Sequence, residues 1–188
     1  MNPHVGEIYL THFEAALGQV IDRSVFRMRE DLPSIQVLEF SPGVPGCRTF
    51  VTLGLSNYSG SVGGRIEVIM PVEGRCDNVP RILAESCFAI VQDGIQLRKG
   101  VRLGGLRQIA PEFAAVHGKD GVYFTQPFGC PADFERVTCD GGDGRVLLAL
   151  LITESELEFL EAKGAREFES AMEDAHIDPL VADRVSMV

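Results

Sequence analysis

Val146-Leu147-Leu148-Ala149-Leu150-Leu151-Ile152-Thr153-Glu154-Ser155-Glu156 is the stretch whose reading decides the fold. Its first seven residues are apolar without interruption. No alternation separates an inner from an outer face, so the run reads as a central strand buried on both sides. Thr153 and Glu156 then form a capping box, with a hydroxyl at the cap and a carboxylate three residues on, each able to satisfy a backbone N–H at a helix start. A strand with two apolar faces needs a covering layer on each. The helix running through Leu157 and Leu160 to Gly164 supplies part of one layer. A last helix is predicted over Arg166 to Ala175, with Phe168 and Met172 inward.

Moving outward, Gly141-Gly142-Asp143-Gly144 reads as a tight turn into the central strand. Gly121 to Phe128 and Phe134 to Cys139 read as strands around a Gly129-Cys130-Pro131 turn. Arg65 to Met70 alternates, with Ile66, Val68 and Met70 to one side and Arg65, Glu67 and Ile69 to the other. Ile35 to Phe40 and Arg48 to Leu55 have strand character, and Ser41-Pro42-Gly43-Val44-Pro45-Gly46 between them is a turn or loop. Short connections between such strands imply antiparallel neighbours. Asn57 to Gly64, polar and glycine-rich, reads as a connection.

Two helices complete the set. Val5, Ile8, Tyr9, Phe13, Ala16 and Leu17 fall at helical spacing, and Gly18 supplies a stop. Asn78 can cap a second helix with Pro80 in its first turn and an apolar stripe of Ile82, Leu83, Cys87, Ile90 and Val91, ending at Gly94. Gly100 to Gly118 is predicted as a long loop with short pieces of structure. Grouped strands with helices on their faces argue an α+β fold with a largely antiparallel sheet sandwiched by helices. The 188 residues, 45% hydrophobic and without a linker or repeat, are predicted to form one domain spanning 1–188.

The formal net charge is −10. An acidic surface repels a phosphate backbone, which argues against nucleic acid, and suits a basic protein partner. The five cysteines, Cys47, Cys76, Cys87, Cys130 and Cys139, are odd in number and contain no CxxC pair, so neither a zinc ribbon nor a thioredoxin motif is indicated. Met1-Asn2-Pro3-His4 opens no basic-then-apolar leader, and no run approaches the roughly 18 apolar residues of a membrane span. The expected compartment is a reducing cytoplasm.

No catalytic constellation stands out. Cys130 could be exposed by its Gly-Cys-Pro turn, and His117 is the closest histidine in sequence, but the plainer reading is a small residue filling a turn. Cys87 reads as core packing. His4, His12, His117 and His176 show no metal-ligand spacing, and His12 reads as helix surface or rim. Gly141 to Arg145 lacks the Lys-Ser/Thr ending of a phosphate loop and precedes a strand rather than a helix. The carboxylates from Glu154 to Glu161 read as a solvated helix face that favours the helix dipole, and as one candidate contact for a basic partner. No catalytic, cofactor-binding or metal-binding residue is assigned.

Several segments, in this order, resemble the suppressor of fused family. They are Phe13-Glu14-Ala15-Ala16-Leu17-Gly18, Thr49 to Ser56, Arg65-Ile66-Glu67-Val68-Ile69-Met70-Pro71, Ile82 to Ala89 with Gly94, Leu148 to Leu157, and Asp178-Pro179 with Asp183-Arg184. The family's tryptophan after the Met-Pro strand end is missing. The resemblance implies an α/β sandwich and a non-enzymatic protein-binding role, with no catalytic residues to carry over. The animal member restrains transcription factors by direct binding with two domains, and this chain is long enough for something like the first. Single-domain bacterial relatives look like immunity proteins that cover a cognate toxin, and many such toxins are basic. The alternative is an intracellular regulatory interaction domain with another client. A cysteine- or carboxylate-dependent enzyme is the outlying reading.

Overall fold

The computed structural model describes residues 3–74 and 76–188. Met1 and Asn2, part of the stretch read for a leader, lie outside them. In chain order the elements begin with α1 (Pro3–Leu17), β1 (Gly18–Phe26), β2 (Ile35–Pro42) and β3 (Arg48–Leu53), then a 3₁₀ turn at Leu55–Tyr58. Next come α2 (Ser59–Val62), β4 (Arg65–Val72), α3 (Val79–Asp93), β5 (Arg102–Gly104), α4 (Leu106–Ile109) and α5 (Pro111–His117). The chain closes with β6 (Gly121–Thr125), β7 (Arg136–Val137), β8 (Gly144–Ile152), α6 (Glu154–Lys163) and α7 (Ala165–Ala175).

Among the described residues the strands form one sheet in the order β1-β2-β3-β4-β8-β6-β5, with β7 on β8 beside the end that β6 leaves free. Every pairing is antiparallel except β4 with β8, where Arg65 to Ile69 run alongside Gly144 to Leu148. The apolar run Val146–Ile152 is therefore central and buried on both faces. Leu147, Ala149 and Leu151 join a core beneath α3, α4 and α5, while Val146, Leu148, Leu150 and Ile152 join a second core beneath α1, α6 and α7. The period-2 geometry of a strand makes that division.

Several sequence expectations change. Gly18 stops α1 but also opens β1, a nine-residue edge strand that the sequence reading missed. Its burial alternates weakly because neither face is fully covered, so its hydrophobic pattern is blurred. The stretch 48–55 ends as strand at Leu53, 121–128 at Thr125, and 134–139 keeps only Arg136–Val137. The supposed connection 57–64 contains helical turns, and the short pieces of structure expected in 100–118 are β5, α4 and α5. Asn78 occupies the cap position of α3 without making a side-chain cap, so Pro80 and the Gly94 stop are what define that helix.

Glu67 is fully buried in β4. The Thr52 hydroxyl donates to it at 2.6 Å, and the backbone N–H groups of Gly54, Leu55 and Ser56 donate at 2.8, 3.2 and 3.1 Å. The Thr52–Ser56 segment is thus a cradle of donors, and Gly54 at φ 118° supplies the backbone turn that aims them. Glu156, read from sequence as part of a solvated helix face, is also fully buried. It completes the capping box with Thr153 and forms a two-pronged ion pair with Arg184 at 2.6 and 3.0 Å. Arg184 also donates to the Leu151 carbonyl at 3.0 Å, and Met187 N–H donates to Glu156 at 2.8 Å. These contacts pin the C-terminal tail against α6, although the tail has no regular secondary structure beyond a bridge between Glu73 and Val181.

Candidate protein-binding surface

The helix pair α6–α7 carries eight of the chain's carboxylates between Glu154 and Asp174 against two cations, Lys163 and Arg166. That is more than half of the net −10 in 21 residues of sequence. Glu154, Glu158, Glu161, Glu167, Glu173 and Asp174 are exposed. The reason is local: Leu160 and Phe168 take the inward stripe of the two helices, which leaves the outward faces to polar groups.

Two grooves flank this pair. The first, about 470 Å³, lies between the end of β6 and α7. Phe128, Pro127, Met172 and Pro179 give it apolar walls, and Lys99, Thr125, Glu169 and Glu173 its polar points. Phe128 remains 39% exposed, unusual for a phenylalanine in this otherwise well-buried set. Glu169 is fixed from three sides, by Lys99 Nζ at 2.9 Å, the Thr125 hydroxyl at 2.9 Å and the Tyr123 hydroxyl at 3.0 Å. Burial pushes its carboxyl up, but Lys99, Thr125 and Tyr123 together outweigh that and hold it below the usual carboxylate range. The groove therefore presents a fixed carboxylate, paired with Lys99, beside an exposed aromatic ring. The second groove, about 510 Å³, is lined by Arg102, Gly104, Leu157 and the carboxylates Glu154, Glu158 and Glu161. Arg102 reaches Glu161 at 3.4 Å and Arg107 reaches Glu154 at 2.7 Å, both at the surface.

The cysteine and histidine candidates do not converge here. Cys130 is half-buried against the α1 side of the core, and burial pushes its thiol up to about 11, which makes it a poor nucleophile. His117 sits instead with Cys76 and Asp183. Cys87 is fully buried among apolar side chains. His12 stacks on Phe134 at 5.4 Å and bonds the Phe134 carbonyl at the rim of α1. The Gly141–Gly144 turn is held by Arg65, which donates to the carbonyls of Asp140 and Gly142. Among the described residues no group of three His, Cys, Asp or Glu side chains could hold a metal ion, and no helix is long and apolar enough to cross a membrane. The carboxylates of α6 are visible in the sequence, whereas the groove beside Phe128 is not. Its walls come from β6, α7 and the tail, and no local pattern links those segments.

Known proteins are similar to this chain in sequence and in architecture. The immunity protein YqcF of Bacillus subtilis (strain 168) is 26% identical over 148 residues, covering 76% of each chain. The structure of a suppressor of fused homologue from Neisseria gonorrhoeae FA 1090 superposes with a TM-score of 0.74 at 21% identity, covering 97% of this chain and 96% of that one. Drosophila suppressor of fused gives a TM-score of 0.62 at 12% identity, with 98% of this chain matching 50% of the Drosophila one. The sequence profile described as suppressor of fused protein matches residues 31–184, which takes in the Glu67 cradle, the central strand and the Glu156–Arg184 anchor. With that span matched, the chain belongs to the suppressor of fused protein family.

Proposed function

We propose that this chain is a non-catalytic, single-domain immunity protein that neutralises a basic toxin by covering it, and that the α6–α7 face with its two grooves makes the contact. The observation that carries the reading is the first groove: an exposed Phe128 beside a fixed Glu169 carboxylate, bordered by the exposed acids of two helices. An aromatic anchor in a concave site with a polar, mostly acidic rim is the physical form of a protein-binding hot spot. The acids draw a basic partner in and set its orientation, while the groove supplies the contact area that holds it. The similarity to the immunity protein YqcF supports the partner class, and the five free thiols support a reducing cytoplasm.

The test is co-expression with a toxin encoded beside this gene. The wild-type chain rescues growth and co-elutes with the toxin. Phe128→Ala weakens the complex by roughly tenfold or more, as loss of a hot-spot aromatic does. Glu173→Lys slows association and does so most at low salt. Full rescue and unchanged affinity in both variants would place the contact elsewhere. Binding to a non-toxic client without growth rescue would favour a regulatory interaction domain instead.

A further inference from the structure

Three chemistry-bearing side chains from distant parts of the chain meet at a spot that the proposed binding surface does not use. Cys76 lies just past β4, His117 ends α5, and Asp183 belongs to the C-terminal tail. Asp183 Oδ1 is hydrogen-bonded to His117 Nδ1, and His117 Nε2 stands 4.0 Å from Cys76 Sγ. A carboxylate on Nδ1 keeps the ring proton there, so Nε2 faces the thiol as an acceptor. The imidazole thus stands within reach of the thiol as a base, with the Asp183 carboxylate on its far nitrogen. Exposure rises outward along the relay: Cys76 is 2% exposed, the His117 side chain 10% and the Asp183 side chain 70%.

In this arrangement the thiol is held inert. Burial is the main influence raising it above its ordinary range, and the Asp183 carboxylate is the next. Arg48, which donates to the Cys76 carbonyl at 3.2 Å, pulls the other way, and Asp77 opposes it. Asp183 thus comes from the tail, whereas His117 and Arg48 belong to α5 and β3. Among the described residues the tail's backbone joins the rest of the fold at one short bridge, where Glu73 N–H donates to Leu180 and Ala182 N–H donates to Glu73. Side-chain links from Arg184, His117 and Lys119, the bond from Met187 N–H to Glu156 and that from Ser155 to Ser186 complete its attachment. A segment with so few backbone bonds opens at less than the global unfolding free energy.

We propose that Cys76 is a thiol-modification site latched by the C-terminal tail, reacting with a low-molecular-weight disulfide when the tail undocks. His117 Nε2 takes the thiol proton, and the Cys76 thiolate attacks one sulfur of the disulfide. The S–S bond breaks, the mixed disulfide forms, and the leaving thiolate recovers the proton from His117. One disulfide bond is made for one broken, so no further oxidant enters. The same tail begins beside Pro179 in the wall of the first groove.

The full chain is incubated with glutathione disulfide, and adducts at each cysteine are followed in time by peptide mass mapping. Cys87, fully buried in the core, is the internal clock for global unfolding. In the wild type, Cys76 reacts roughly tenfold or more faster than Cys87, because local opening is more frequent than global unfolding. Asp183→Asn, an exposed change, raises the Cys76 rate several-fold and leaves Cys87 and the urea midpoint unchanged. His117→Gln in that background lowers the Cys76 rate again by roughly tenfold at neutral pH, the loss of a base. Equal rates at Cys76 and Cys87 in the wild type would overturn the proposal, as would a slower Cys76 in Asp183→Asn or no effect of His117→Gln.

Discussion

Glu67, near the start of β4, and Glu156, in the first turn of α6, are buried to the same degree and held in different ways. Glu67 meets a hydroxyl and three backbone N–H groups, all partial charges. Burial still dominates, and its carboxyl lies above the ordinary range in spite of the bonds from Thr52, Gly54 and Ser56. Glu156 meets a guanidinium as well as the N–H groups of Thr153 and Met187. Burial pushes it up too, but Arg184 and those donors outweigh the push, and its carboxyl lies below the ordinary range. At Glu67 the donors do not offset the loss of hydration, whereas at Glu156 the guanidinium and the N–H groups together do.

The strongest way to break that contrast is to remove the cation. Arg184→Gln leaves Glu156 buried beside a neutral amide and takes the anchor from the tail. We expect a loss of about 3–5 kcal/mol, the range for breaking a buried pair on one side. A urea unfolding curve reads it as a lowered midpoint with little change in slope. A loss no greater than that of a surface pair would mean that Arg184 does not neutralise Glu156.

The corresponding change at the other site is smaller. Glu67→Gln keeps one acceptor oxygen but turns an NH₂ group toward the donors of the 54–56 segment. The cost is about 1–3 kcal/mol, that of leaving buried donors unmatched. Thr52→Val falls in the same range, because the hydroxyl both donates to Glu67 and accepts from Val68 N–H at 2.8 Å.

The two carboxylates also impose opposite slopes on stability against pH. Glu156 has its folded value depressed, so its contribution is fully present above the unfolded carboxylate value and fades as the pH falls through the folded one. Glu67 has its folded value raised, so the folded chain holds the proton more tightly and stability falls as the pH rises through the window above the unfolded value. The stability difference between wild type and Glu156→Gln therefore grows with pH on the acid side. The difference between wild type and Glu67→Gln shrinks above it. Unfolding curves taken across the acid and near-neutral range give both signs, and equal signs would remove the distinction.

The same pair marks how far the sequence could be read. Val146–Ile152 and the Thr153–Glu156 box were legible because each is a contiguous pattern with one physical meaning: a two-faced strand and a capped helix start. That Glu67 and Ile69 share a side of β4 was legible as well. The burial of the two carboxylates was not. Glu67 depends on a donor cradle 11 to 15 residues away, and Glu156 on a cation 28 residues away. Neither partner has a local signature. β1 was missed for the opposite reason, since an edge strand with little buried surface carries a weak alternation. The groove beside Phe128 was illegible on the first ground, being assembled from β6, α7 and Pro179.

The smallest effect tests whether the two sites differ in their charges or in their threonines. Each carboxylate has one threonine beside it. Thr52 donates its hydroxyl to Glu67 at 2.6 Å, whereas the Thr153 hydroxyl accepts from Glu156 N–H at 3.3 Å and it is the Thr153 backbone N–H that donates to the carboxylate at 2.8 Å. Thr153→Ala therefore removes a helix cap and leaves every bond to the Glu156 carboxylate in place. It should cost about 1 kcal/mol, the usual value of a lost hydroxyl cap. It should also leave the acid-side slope of stability unchanged, because the ion pair with Arg184 is intact. Thr52→Val should instead steepen the penalty on ionising Glu67, because it deletes a donor to the charged form. A Thr153→Ala variant that altered the acid slope would show that the cap, and not the guanidinium alone, sets how tightly Glu156 holds its proton.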